Sequence, residues 1–167
     1  MARLKSWLLG LLVLAYGSLS WADPLPASML PQLLLKVMSY EAGLSGSDSV
    51  SVYVLDAPEV AIELRRLVGR SIGKARLERV DFGSQVPTSK YSAIYVANKT
   101  NIDAVLQYSH NNKVLSISGN PDLIDAGVAI CIDSKGGRPQ FTLSLSASKE
   151  EKLSWDAALT RAAVIRN

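Results

Sequence analysis

Side chains able to do acid–base or covalent chemistry are few. His110 is the sole histidine and Cys131 the sole cysteine among 167 residues. One of each cannot build a standard zinc site, and no His/carboxylate cluster accompanies them, so metal catalysis is set aside. His110 falls in Ser109-His110-Asn111-Asn112, where a helix is expected to end. A last-turn histidine complements the helix dipole or sits in solvent, and no motif names the partner a catalytic base would need. Cys131 lies in the apolar run Val128-Ala129-Ile130-Cys131-Ile132. Without a second cysteine no intramolecular disulfide exists, and in such a run the thiol reads as a small buried hydrophobe rather than a reactive group.

Serine chemistry has two starting points, Ser71-Ile72-Gly73-Lys74 and Ser146-Ala147-Ser148-Lys149, both of the S-x-x-K form. The companion motifs of that acyl-enzyme class are missing, and 21 serines with nine lysines produce such matches by chance. No G-x-S-x-G elbow occurs. Phosphate loops fare no better. Neither G-x-G-x-x-G nor G-x-x-x-x-G-K-S/T is present, and Asp56-Ala57-Pro58-Glu59 would face an incoming phosphate with two acids. Ser118-Gly119-Asn120-Pro121 points helix N–H groups outward at a strand's carboxyl end, where open α/β sheets bind ligands, yet ordinary capping accounts for the same residues. No cofactor is implied.

What must position these residues begins with an address. Arg3 and Lys5 precede an apolar run from Trp7 to Tyr16, followed by small residues at Ser20 and Ala22. This is the layout of a secretory signal peptide spanning 1–22. The run is shorter than the roughly 20 residues a membrane-spanning helix needs, and Asp23-Pro24 follows at once. The expectation is a soluble exported protein in a bacterial periplasm, with 23–167 as one domain. Beyond residue 22 the chain carries 16 basic residues against 15 acidic ones, so it has no electrostatic footprint for nucleic acid. At 48% hydrophobic and 20% charged, the chain is not intrinsically disordered.

Periodicity then gives the elements. Leu30, Leu33, Leu34, Val37 and Met38 predict a helix over 29–42, with Gly43 as its C-terminal cap. Strand 50–55 leads into a helix opened by Pro58, lined by Val60, Leu64, Leu67 and Val68, and ended by Gly69. The heavily charged strand 75–82 fits a sheet edge, whereas 91–96 reads as more buried. Thr100 and Asp103 have the spacing of a capping box ahead of a helix with Ile102, Val105 and Leu106 inward. Strand 113–118 leads to a short helix capped by Asn120-Pro121-Asp122. Strands 128–133 and 140–146 flank a hairpin turn over 134–139. In the second of these, Phe141, Leu143 and Leu145 alternate with Thr142, Ser144 and Ser146, predicting one wet or helix-free face. Ser154 is placed as the cap of a last helix striped by Trp155, Ala158, Leu159, Ala162 and Ala163. Alternating strands and helices imply a three-layer α/β/α sandwich, its sheet mostly parallel with a C-terminal antiparallel hairpin strand.

The order of these features resembles the YfiR/HmsC family of small periplasmic proteins. The export signal is followed by the helix Leu33-Leu34-Leu35-Lys36-Val37-Met38-Ser39-Tyr40 and the strand Val50-Ser51-Val52-Tyr53-Val54-Leu55. Then come Tyr91-Ser92-Ala93-Ile94-Tyr95-Val96, Val114-Leu115-Ser116-Ile117-Ser118 and Gly127-Val128. The ending is the most telling part. Phe141-Thr142-Leu143-Ser144-Leu145-Ser146-Ala147-Ser148 precedes Leu153-Ser154, Ala158-Leu159, Arg161-Ala162 and Val164, similar to a strand, an Ala/Ser turn and a helix of the L-S-x-x-x-L-L-x-x-A-x-V kind. Asp125-Ala126-Gly127 stands where a glycine pair is usual, Ser144 or Leu145 where an asparagine is, and the paired cysteines of some members are absent.

The resemblance implies a regulator rather than an enzyme. Its partner would be the periplasmic sensing domain of an inner-membrane diguanylate cyclase, whose repression lowers cyclic-di-GMP and biofilm formation. A homodimer is implied as well, whereas redox control through disulfides is not. From the strand assignments alone comes a second reading, a non-catalytic small-ligand module whose rim is Asp56, Asn98, Ser118 and Asn120. A hydrolase built on Ser71 or Ser146 is the third, and it lacks an identifiable base and oxyanion donors.

Overall fold

The computed structural model describes residues 28–167, so the signal peptide expected over 1–22 and most of the proline-rich leader lie outside the described residues. Eight strands form one sheet in the order β2-β3-β1-β4-β5-β6-β7-β8. The centre is parallel: β1 (Ser49–Leu55) lies between β3 (Ala75–Gly83) and β4 (Ala93–Val96), and β4 continues to β5 (Leu115–Ser118) and β6 (Ile130–Lys135). β7 (Arg138–Ser144) pairs antiparallel to β6, as the hairpin pattern predicts. The loop tightens to Gly136 and Gly137, with φ of 59° and 74°, the left-handed conformations a two-residue hairpin turn requires.

Helices pack on both faces, which confirms the three-layer α/β/α fold. On one face, Leu34, Val37 and Met38 of α1 (Leu30–Met38) and Val60, Ala61 and Leu64 of α3 (Pro58–Arg65) pack on Val50, Val52, Val54, Leu77 and Leu115. On the other, Val105 and Tyr108 of α4 (Ile102–Asn112), with Leu123 of a single 3-10 turn, pack on Leu55, Ile94, Val96 and Val114. This second layer reaches β1 only at Leu55 and Tyr53; beyond it Ser51 is half-buried and Arg76 and Arg79 are exposed, leaving the β3 end of this face uncovered.

Several local expectations are corrected. The first helix stops at Met38, and Gly43 lies inside a second short helix, α2 (Ala42–Ser45), whose cap is the Glu41 carboxylate. α3 ends at Arg65 and leaves Val68 exposed. β3 is not the edge, because the two-residue β2 (Ser71–Ile72) pairs outside it. Thr100 makes no capping box: Asn101, at φ 61°, precedes the helix without a side-chain cap, and Asn98 Oδ1 accepts from the Thr100 N–H instead. The strand expected over 140–146 ends at Ser144, where its hydroxyl accepts from Ala147 N–H and opens α5 (Leu145–Glu150). Its Thr142 and Ser144 are buried rather than wet, whereas Gln140 and Arg138 on the same face grade out to solvent. The last helix, α6 (Ala157–Ala162), is capped by Asp156 rather than Ser154 and buries only Leu159. The chain then adds a strand that the periodicity does not indicate, β8 (Val164–Arg166), parallel to β7.

Candidate functional site

The parallel registers place Leu55, Val96, Ser118 and Cys131 side by side, so the loops after β1, β4 and β5 converge at one carboxyl edge. All four rim residues read from the sequence are found there. Asp56 follows β1 in a left-handed conformation, φ 56°, with its N–H donating to Gly83 O. Asn98 is exposed and turns the chain through Thr100. Ser118 is fully buried, its hydroxyl donating to Val96 O at 2.7 Å and accepting from Asn120 N–H at 2.9 Å. Asn120 Oδ1 in turn accepts from Asp122 N–H. The last two side chains therefore hold the loop in shape. Gly119 is there for close approach, since a Cβ on it would lie 2.7 Å from Tyr95 Oη. Because β3 and β4 leave β1 on opposite sides, Asp56 and Asn98 flank the point where the strand order reverses, the usual crevice of open α/β sheets.

The residues singled out for catalysis are engaged otherwise. His110 Nε2 lies 3.1 Å from Glu150 Oε2, a carboxylate no sequence motif identifies. Ser146 Oγ has Ser144 Oγ at 3.1 Å, and among the described residues no hydrogen bond joins Ser71 to Lys74 or Ser146 to Lys149. Ser148, inside the same S-x-x-K stretch, is buried; it accepts from Trp155 Nε1–H and donates to Ser144 O. Trp155 thus lies outside the last helix, half-buried against the main core and bridged to Glu41. Cys131 is fully buried, and burial pushes its thiol up to about 12. Among the described residues no group of three His, Cys, Asp or Glu side chains could hold a metal.

Sequence reasoning missed two buried carboxyl groups at the opposite, amino-terminal edge. Glu41 Oε2 accepts from Leu44 N–H at 2.7 Å and Oε1 from Ser154 N–H at 2.9 Å, tying the start of α2 to the segment between α5 and α6. Glu151 is fully buried and accepts from both the N–H and the hydroxyl of Ser116, whose Oγ also accepts from Ala129 N–H. Burial pushes the Glu151 carboxyl up to about 8, opposed by its two hydrogen bonds from Ser116. Glu151 sits in the charged run Lys149-Glu150-Glu151-Lys152, which carries no sequence signal of burial. Between these two carboxyls opens a cavity of about 440 Å³, walled by Ser51, Ser92, Lys90, Lys113 and Lys152 among others.

Comparison with known proteins bears on the whole of this arrangement. Residues 32–164 match a family described as YfiR/HmsC-like. No curated protein matches the chain. Among solved structures, a conserved domain protein from Vibrio cholerae is similar in fold, with a TM-score of 0.53 at 10% identity. The match covers 85% of this chain and 60% of that one, so this chain spans about three-fifths of its length. At that identity the likeness concerns the fold alone.

Proposed function

This chain belongs to the YfiR/HmsC-like family of non-catalytic periplasmic regulators of cyclic-di-GMP signalling, and from that premise we propose that it binds the periplasmic sensing domain of an inner-membrane diguanylate cyclase and holds the enzyme inactive. The observation that carries the reading is the family match over 32–164, which takes in both packed layers and the C-terminal strand–helix segment. The cyclase chemistry lies on another chain, across the membrane. A repressor of this kind works by binding the inactive receptor more tightly than the active one. Moving a receptor from almost wholly active to almost wholly inactive takes a preference of about 10⁴-fold, roughly 5.5 kcal/mol. Export through a signal peptide over 1–22 and homodimerisation belong to the same proposal. Deleting the gene in its host tests it: cellular cyclic-di-GMP rises and returns on complementation. An unchanged level across growth conditions, together with no association between the purified protein and the cyclase sensing domain, sinks it.

The reversal of strand order beside Asp56 and Asn98 favours a second reading, a small-ligand module at the carboxyl edge with Ser118 and Asn120 as its supporting loop. A metabolite that raises the melting temperature of the parent but not of Asn98→Ala supports it, and a flat response across a metabolite panel removes it.

A further inference from the structure

The cavity at the amino-terminal edge has no part in either reading. Its volume of about 440 Å³ is that of a small-molecule site. Three loops each send a lysine to its wall: Lys90 ahead of β4, Lys113 at the end of α4 and Lys152 after α5. Among the described residues none of the three forms an ion pair. Two carboxyl groups reach the same wall. Glu41 has both oxygens taken by backbone N–H groups, and Glu151, fully buried, has its two oxygens taken by the N–H and hydroxyl of Ser116. Neither carboxyl is therefore paired with any of the three ammonium groups.

Further donors are in place. Ser92 Oγ accepts from Ser51 N–H at 3.0 Å, which leaves its own hydroxyl hydrogen free to point elsewhere. Lys113 and Lys152 are held at φ of 56° and 58°, a left-handed backbone that asparagine or glycine would adopt more readily than lysine. Like charges gathered on one concave wall repel one another unless something neutralises them.

We propose that this cavity binds a small organic anion, a phosphate ester or carboxylate, neutralised by Lys90, Lys113 and Lys152 and receiving a hydrogen bond from the Ser92 hydroxyl. Such an anion joins loops from α4, α5 and the β3–β4 connection, so its occupancy stabilises the fold. The proposal stands whether or not the protein represses a cyclase.

The test is thermal unfolding of the purified protein with inorganic phosphate, glycerol 3-phosphate or succinate, at ionic strength matched by potassium chloride. A saturable rise in melting temperature with at least one of them is expected, and the pattern among the three identifies the anionic group. The double substitution Lys113→Asn with Lys152→Asn removes two charges while keeping residues tolerant of the left-handed backbone, and should weaken binding roughly tenfold without lowering the unliganded melting temperature. Lys135→Asn, an exposed lysine on the β6–β7 hairpin and outside both candidate sites, should bind as the parent does. No saturable rise beyond the chloride control with any of the three, or a double variant that binds within about twofold of the parent, overturns the proposal.

Discussion

At the residue scale, Glu151 carries the most consequence for stability. Its carboxyl is pushed from an ordinary value of 4.5 to about 8, chiefly by burial. The folded state thus binds this proton more tightly than the unfolded state, which releases it first as pH rises. Its contribution to stability is complete below about pH 4.5, falls as pH climbs towards 8, and is gone above, a loss on the order of 5 kcal/mol in full. Urea unfolding of Glu151→Gln at pH 5.5 and 8.5 should show a much shallower dependence than the parent, since glutamine keeps the acceptor for Ser116 N–H without a charge to bury. Equal slopes in the two proteins would mean that the carboxyl is not neutral in the folded state. Cys131 offers a second check. With its thiol buried and pushed up to about 12, it should resist a thiol-labelling reagent at pH 8 in the native protein and react at once in denaturant.

At the scale of elements, the errors in reading have a common form: a short polar residue decided a boundary that apolar spacing did not mark. Ser144 alternates as a strand residue should, but its hydroxyl takes the Ala147 N–H and turns the chain into α5. Ser144→Ala should therefore lower stability by about 1 kcal/mol in equilibrium unfolding. Asp156 does the same for α6, two residues later than the cap expected at Ser154. Pro58, by contrast, was legible, because a proline at the first helical position is tolerated there and almost nowhere else in a helix. The β6–β7 hairpin was legible for a similar reason, through Gly136 and Gly137. Gly136→Val should cost about 1–2 kcal/mol in the same measurement, whereas Gly136→Asn should be nearly neutral, since only valine resists φ of 59°.

For the whole molecule, the sheet's two ends are closed by the shortest strands. β2 covers β3 with two residues and β8 covers β7 with three. Val164 and Ile165 remain about two-fifths exposed, so β8 is only partly buried, yet it occupies the hydrogen-bonding edge of β7. Removing residues 164–167 should bare that edge and make the protein associate at high concentration in light scattering, while central packing survives. Leu159→Ala reports on the same region from the core side. As the only buried residue of α6, it should cost about 2–4 kcal/mol on truncation.

The alternation of strands and helices, the parallel centre and the C-terminal hairpin were determined by the sequence itself, because apolar period and turn chemistry are local properties that each segment carries alone. The four rim residues were placed at one edge for the same reason: in a parallel sheet every strand's following loop emerges on the same side. The buried Glu41 and Glu151, the lysine-walled cavity and the strand β8 were decided only by tertiary structure. Each depends on which distant backbone groups meet a side chain, Ser154 N–H for Glu41, Ser116 N–H for Glu151 and β7 for β8, and no spacing along the chain encodes that meeting.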